Sequence, residues 1–187
     1  MTHKGTKTIE TERLVLRQFV PEDAEAAYNN WCSDSSVTKY LTWPTHAGPD
    51  VTKSLLERWI ADYEKPDWYQ WAIVPKELGQ PIGSISVVRM DEKTDQVEVG
   101  YCIGSKWWHR GIVSEAFAAV IRFLFTEVGV NRIQARHDPN NPHSGAVMKK
   151  CSLTYEGTLR QADRNNTGLV DLCMYSILRS EYGSQNK

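Results

Sequence analysis

Trp107-Trp108-His109-Arg110-Gly111-Ile112-Val113-Ser114-Glu115 is the stretch on which the reading of this chain turns. It follows an apolar strand-like run, Val97-Glu98-Val99-Gly100-Tyr101-Cys102-Ile103-Gly104, and opens a long amphipathic helical pattern. A helix N-terminus presents several N–H groups with no partner inside the helix, at the positive end of the macrodipole. Gly111 lets a ligand approach that backbone closely, and Arg110 adds a charge that does not titrate. Together these describe an anion site suited to a phosphorylated cofactor. Taken alone, the segment also reads as an ordinary strand-to-helix turn with one surface arginine.

Downstream of the turn, Ala116, Phe117, Val120, Ile121, Leu124 and Val128 recur at helical spacing over 111–128, and Gly129 suits the residue just past the helix end. A strand over 132–137 follows. The Glu98 strand, the long helix and this strand therefore make a crossover unit whose strands run parallel. Upstream, Leu14 and Leu16 alternate with polar neighbours in an early strand that stops before Pro21, where a helix starts and runs to about Cys32. A second helix starts at Pro49-Asp50 and carries Val51, Leu55, Leu56, Trp59, Ile60 and Tyr63. Strands over 69–74 and 82–88 precede the Glu98 strand through short turns, which predicts an antiparallel meander. A short helix over 144–151 and strands over 154–159 and 170–178 complete an α+β domain.

Composition narrows the function. With 187 residues the chain is long enough to bury a proper core. Twenty-two basic and 23 acidic residues leave a net charge of −1, which gives no support to nucleic-acid or membrane binding by bulk charge. Cysteines 32, 102, 151 and 173 are widely spaced, so neither a zinc knuckle nor a dithiol redox motif is indicated. His109, His137 and His143 lack metal-ligand spacing, and the sequence holds no G-x-S-x-G elbow, P-loop or G-x-G-x-x-G fingerprint. The N-terminus lacks an apolar leader and no stretch is apolar enough to span a bilayer, so a cytoplasmic protein is expected.

Past the long helix comes Asp138-Pro139-Asn140-Asn141-Pro142-His143-Ser144, then Val147-Met148-Lys149-Lys150-Cys151-Ser152-Leu153. With these segments in this order, the chain resembles the GNAT superfamily of acyl-CoA-dependent N-acetyltransferases, and within it the RimJ/RimL-like branch. The resemblance starts at Thr11-Glu12-Arg13-Leu14-Val15-Leu16-Arg17 and runs to the strands near Leu178. It implies a GNAT fold: a mixed, mostly antiparallel sheet of about seven strands flanked by about four helices, with a parallel pair that splays apart. The domain is expected over 11–180, between an N-terminal tail of 1–10 and a C-terminal tail of 181–187.

The resemblance also implies roles. Cys102 and Ile103 would offer a free strand edge to the pantetheine arm of acetyl-CoA, and the amides from Trp108 through His109, Arg110, Gly111, Ile112 and Val113 to Ser114 would hold the pyrophosphate. His109 and Val113 stand where the branch commonly has small residues, which suggests a tighter loop. Asn141 and Ser144 match the branch's Asn-x-x-Ser, the first bonding the pantetheine and the second protonating or contacting the leaving thiolate. As plain structure they read as a loop asparagine and a helix N-cap. Lys150 matches a lysine near the phosphates. Glu98 occupies the place of a carboxylate that takes the amine proton, often through water; burial that raises its proton affinity would suit that task. Otherwise it is a half-exposed strand glutamate. Tyr40 and Trp43, with Glu98, are the candidate acceptor contacts, and Asp34 would favour a cationic amine.

The implied reaction is direct transfer of an acetyl group from acetyl-CoA to a primary amine in a ternary complex, without a metal. The acceptor is a protein N-terminal α-amine, ribosomal proteins included, or a small amine. The alternative is a regulatory module that binds acyl-CoA with little turnover, a reading that His109 and Val113 keep open. A homodimer follows the family habit.

Overall fold

The computed structural model describes residues 1–185. Eight strands form one open sheet: β1 (Ile9–Glu10), β2 (Leu14–Arg17), β3 (Gln70–Pro75), β4 (Gly83–Asp91), β5 (Gln96–Ile103), β6 (Arg132–His137), β7 (Thr154–Asn165) and β8 (Gly168–Leu178). Their order is β1-β2-β3-β4-β5-β6-β8-β7. The β5–β6 pair is parallel and the other neighbours are antiparallel. The helices are α1 (Asp23–Ala27), α2 (Ser35–Thr38), α3 (Pro49–Asp62), α4 (Ile112–Phe123), α5 (Pro142–Lys150) and α6 (Arg179–Gln185). The mixed, mostly antiparallel α+β architecture is as expected, with eight strands for about seven and six helices for about four. The additions include β1, α2 and α6, which are too short to print a hydrophobic period.

Side-chain alternation on β3 divides the core. Trp71 and Ile73 belong to the layer of Phe117, Val120 and Leu124, with Trp71 edge-on to Phe123 of α4, while Ala72 and Val74 belong to the opposite layer of Phe19, Trp31 and Leu56. The long helix continues past α4 as a π-helical turn, Leu124–Val128, and ends on Gly129 at φ +81°, the left-handed conformation that closes a helix. A similar turn, Tyr28–Cys32, extends α1 and places Trp31 and Cys32 in the second layer.

Two boundaries change. The expected N-terminal tail is part of the fold: β1 pairs with β2, the Thr2 amide donates to the Val128 carbonyl, and the Met1 ammonium meets Asp95 Oδ1 at 2.5 Å. Within the expected C-terminal tail, α6 continues to Gln185, and residues 186 and 187 lie outside the described residues.

What positions the site is the brevity of the parallel pairing. It runs from Gln96↔Arg132 to Glu98↔Gln134 and stops. Beyond that point β5 stays with β4 as far as Ile103, and β6 stays with β8 as far as His137. A bulge between Val87 and Arg89 adds local twist to the β4–β5 pair. The inner edges of β5 and β6 therefore diverge, leaving a wedge that opens beside α5.

Arg132 anchors the last hairpin to this frame, its Nη1 and Nη2 donating to Glu156 Oε1 and Oε2 at 2.6 and 2.5 Å. These bonds hold the Glu156 carboxyl at about 2, below its ordinary 4.5. A carboxyl depressed in the folded state stabilises it above pH 4.5 and loses that contribution as the pH falls toward 2. Glu156→Gln is expected to be less stable at neutral pH and to lose less stability over that acid window, which denaturant midpoints measured against pH would show.

Candidate active site

The loop before α4 is built as its sequence suggests. Gly111 caps the helix at φ +72°, and the first backbone bond back to it is from the Glu115 amide, 3.1 Å from the Gly111 carbonyl. The amides of Ile112, Val113 and Ser114 precede that bond and have no carbonyl behind them in the helix. Cations converge over them. A methyl group placed on Gly111 would lie 3.5 Å from Lys150 Nζ and 3.8 Å from Arg13 Nη2. Arg13 braces the loop by donating to the Arg110 carbonyl at 3.1 Å and pairs with Glu115 at 2.6 Å. Burial raises the Glu115 carboxyl, but bonds from Thr11 and Arg13 outweigh it and keep it low. Glu115 is thus matched by a cation at the mouth of the anion site.

The two irregular loop residues resolve differently. Val113 is buried in the core with Ile112, so its side chain turns away from the loop and does not crowd it. His109 takes φ +61° and sets its exposed ring edge-on to His143 in the first turn of α5, with centroids 4.6 Å apart. Trp108 donates its indole N–H to the Ile103 carbonyl at 3.0 Å. Of the two expected edge residues, Cys102 lines the cleft and Ile103 ends β5.

A cleft of about 470 Å³ runs from the wedge toward α3, lined by Tyr40, Trp43, Glu98, Cys102, Asn141 and Ser144 among others. Glu98 stands where β5 and β6 part and is only 3% exposed. Its Oε1 accepts from Arg136 Nε at 2.8 Å and its Oε2 from Gln134 Nε2 at 2.9 Å. Of the two readings, a half-exposed strand glutamate and a carboxylate buried in the cleft, the structure has the buried one, held in an ion pair. Each oxygen keeps a further lone pair. Arg136 also reaches Asp163 at 3.3 Å. Asn141, not Ser144, caps α5, and its side chain makes no capping bond. The Ser144 hydroxyl donates to Tyr101 Oη at 3.2 Å, and the Tyr101 hydroxyl donates to the Ser144 carbonyl at 3.0 Å. Burial pushes the Tyr101 phenol far up. Asp34 lies elsewhere: it caps α2 and accepts from Ser105 Oγ at 2.6 Å, the bond that most lowers its carboxyl.

Residues 13–154 match the family described as acetyltransferase (GNAT) domain. The chain belongs to the GNAT acetyltransferase family. It is 32% identical over 177 residues to the uncharacterized N-acetyltransferase p20 of Bacillus licheniformis, covering 94% of this chain and 98% of that one. A shorter match, 36% identical over 59 residues, is to the ribosomal protein uS5-alanine N-acetyltransferase of Escherichia coli and covers 32% of this chain and 30% of that one. Among solved structures, a GNAT acetyltransferase from Bacillus anthracis superposes with a TM-score of 0.82 at 25% identity, covering 94% of this chain and all of the other.

GNAT acetyltransferases use acetyl-CoA, and this structure suits it: the cationic cradle over Gly111 is open to phosphates, and the wedge leaves backbone groups of β5 unpaired with β6. Among the described residues, no three His, Cys, Asp or Glu side chains gather as a metal site. The GNAT scaffold also recruits residues that the sequence motifs do not single out. Arg136 and Gln134 hold Glu98, Asp163 shares Arg136, and Tyr101 holds Ser144. From the tip of the β7–β8 hairpin, Asn166 Nδ2 donates to the Thr38 and Trp43 carbonyls at 2.8 Å, and Asn165 donates to Asp138 Oδ2 at 2.8 Å. Alternation on β6 is the available signal for Gln134 and Arg136, which share with Arg132 the face opposite the buried Ile133 and Ala135. Gly145 makes room for His137, whose Nε2 would lie 2.5 Å from a methyl there. Gly145→Ala is expected to lose about 1–3 kcal/mol to overpacking, read from chemical denaturation, and to weaken acetyl-CoA binding in a titration.

Proposed function

We propose that this chain transfers an acetyl group from acetyl-CoA to a primary amine, a protein N-terminal α-amine or a small amine, within a ternary complex. The observation that carries the reading is the placement of Glu98 at the point where β5 and β6 part, in a cleft that runs from the wedge to an aromatic wall. Ionisable residues lining the cleft supply three carboxylates, Glu98, Asp138 and Asp163, against one guanidinium, Arg136, a formal charge of −2 with His137 neutral. Such a cleft attracts an ammonium ion.

The amine must lose a proton before its lone pair can attack the thioester carbonyl. That proton passes to Glu98, through water on a lone pair that Arg136 and Gln134 leave free. The C–N bond then forms and the C–S bond breaks; the thiolate takes a proton from the Ser144 hydroxyl, which Tyr101 holds in place, and the second amine proton, shed as the amide forms, passes to the Ser144 oxygen. Lys150, Arg110 and the amides of 111–114 hold the phosphates, and Asn141 is free to bond the pantetheine.

Release of CoA from acetyl-CoA over a panel of peptides, polyamines and aminoglycosides tests the reading. Binding with no release across the panel would favour the regulatory module. Glu98→Gln is expected to lower kcat by about 100-fold and to flatten the acid limb of the pH profile. An unchanged profile would remove Glu98 from proton transfer. Ser144→Ala is expected to lower kcat by about 10-fold or more, and full turnover with only a raised KM for acetyl-CoA would reduce Ser144 to a contact.

A further inference from the structure

Among the described residues, three buried side-chain nitrogens have no hydrogen-bond partner: Trp68 Nε1, Gln70 Nε2 and His137 Nε2. All three residues line the same cleft. Buried polar atoms are normally satisfied, so such a gathering asks for a cause. For His137 the cause is packing. Its Nδ1 lies 2.8 Å from the Asp138 carbonyl, and its Nε2 is turned onto Gly145 of α5. Trp68 and Gln70 have no such explanation, and Gln70 is only 5% exposed.

Their position in the sheet is defined. Gln70 pairs with Ser86, and Ser86 pairs with Gly100, so the three form a row across β3, β4 and β5 on one face. Val87 donates to the Tyr69 carbonyl at 3.0 Å, which carries the line of β3 back toward Trp68. Glu98, two residues before Gly100, shares that face. The floor between is low because Ser86 is small and Gly100 has no side chain. Gln70 and Glu98 thus stand on opposite banks, with Cα atoms roughly 12 Å apart by strand spacing and rise. Tyr40, Trp43 and Trp59 supply aromatic walls.

We infer that Trp68 and Gln70 form a carbonyl-recognising subsite of the acceptor cleft, which selects amines carrying an uncharged carbonyl oxygen several bonds from the nitrogen. The indole N–H donates and cannot accept, so the matching ligand atom is an acceptor. The Gln70 carboxamide adds a second unpartnered donor to the lining of the same cleft. Charge settles the class of oxygen. Arg136 is the one guanidinium in the lining, and it already pairs with Glu98 and Asp163. A carboxylate on the ligand would meet a negatively charged cleft with no free partner, whereas an amide or ester carbonyl meets two neutral donors. The amine end, at the other bank, faces Glu98. This subsite rests on the acetyl-transfer reading above.

Three acceptors of similar length test it: 4-aminobutanamide, 4-aminobutanoate and pentylamine. With acetyl-CoA, kcat/KM for the amide is expected to exceed that for pentylamine by about 10-fold or more, with 4-aminobutanoate below the amide. The amide-to-pentylamine ratio should fall toward one in Trp68→Phe, which keeps a ring but lacks the N–H, and in Gln70→Leu. Being a ratio within each variant, it is unaffected by a loss of folded protein. Equal use of the amide and pentylamine, a preference for the carboxylate, or a ratio that both variants preserve would overturn the subsite. If no amine releases CoA, the peptides, polyamines and aminoglycosides of the panel included, the acetyl-transfer reading fails, and binding decides the subsite separately. The indole proton resonance that is missing from Trp68→Phe should then move downfield on titration with 4-aminobutanamide and stay put with pentylamine. No movement with the amide would overturn the subsite in that case too.

Discussion

Everything in this molecule depends on the parallel pairing of β5 and β6 ending at Glu98↔Gln134. Two strands held together on their inner edges would be an ordinary crossover unit with a closed sheet. Here each strand is held on its outer edge instead, β5 by β4 and β6 by β8, to the end of its length. The twist accumulated on the β4 side carries β5 away from β6. Unpaired strand edges inside a protein would be unfavourable without a partner, so the wedge is a place for something to bind. An extended pantetheine arm has the length and amide groups to fill that role in a GNAT enzyme.

The wedge also concentrates charge. Burial of Glu98 is tolerable because Arg136 and Gln134 supply one strong donor to each oxygen, and Arg136 is in turn shared with Asp163 on β7. The terminal hairpin is therefore tied to the proposed reaction centre by an ion pair, and to the loop around Trp43 by Asn166 and the loop before α5 by Asn165. Helix α5 closes the other side through the Tyr101–Ser144 pair and the close approach of Gly145 to His137. Elements far apart in the chain thus set the dimensions of one cleft, and Arg13 and Lys150 likewise bring charge from distant segments to the start of α4.

Legibility follows the range of the interactions. The α4 helix, its terminal Gly129 and the strand over 132–137 can be read because each rests on hydrophobic period or a local conformational demand. The apolar pattern marks the end strands only over 154–159 and 170–178, because β7 and β8 run beyond it into an exposed hairpin. At the site, the anion loop is legible from glycine, arginine and the helix start. The pairing of Glu98 with Arg136 is not, since the two residues are brought together by a crossover. Nor can the sequence show that Val113 turns inward, which requires knowing the face of α4 that meets the sheet.

The sequence by itself determined the main strands and helices along the chain, the glycine-capped helix start suited to an anion, and, through resemblance, membership of the GNAT fold. The elements and the helix start follow from local rules, because side-chain period and backbone conformational limits act over a few residues, whereas the family rests on the resemblance of whole segments to GNAT proteins. Only the tertiary structure decided that Glu98 lies buried in an ion pair at the fork of two strands, that Tyr101 holds Ser144, and that two residues lining the cleft, Trp68 and Gln70, carry buried side-chain nitrogens without a partner. The physical reason is that burial and hydrogen bonding depend on which distant segments meet, and that is settled by how the whole sheet twists and packs.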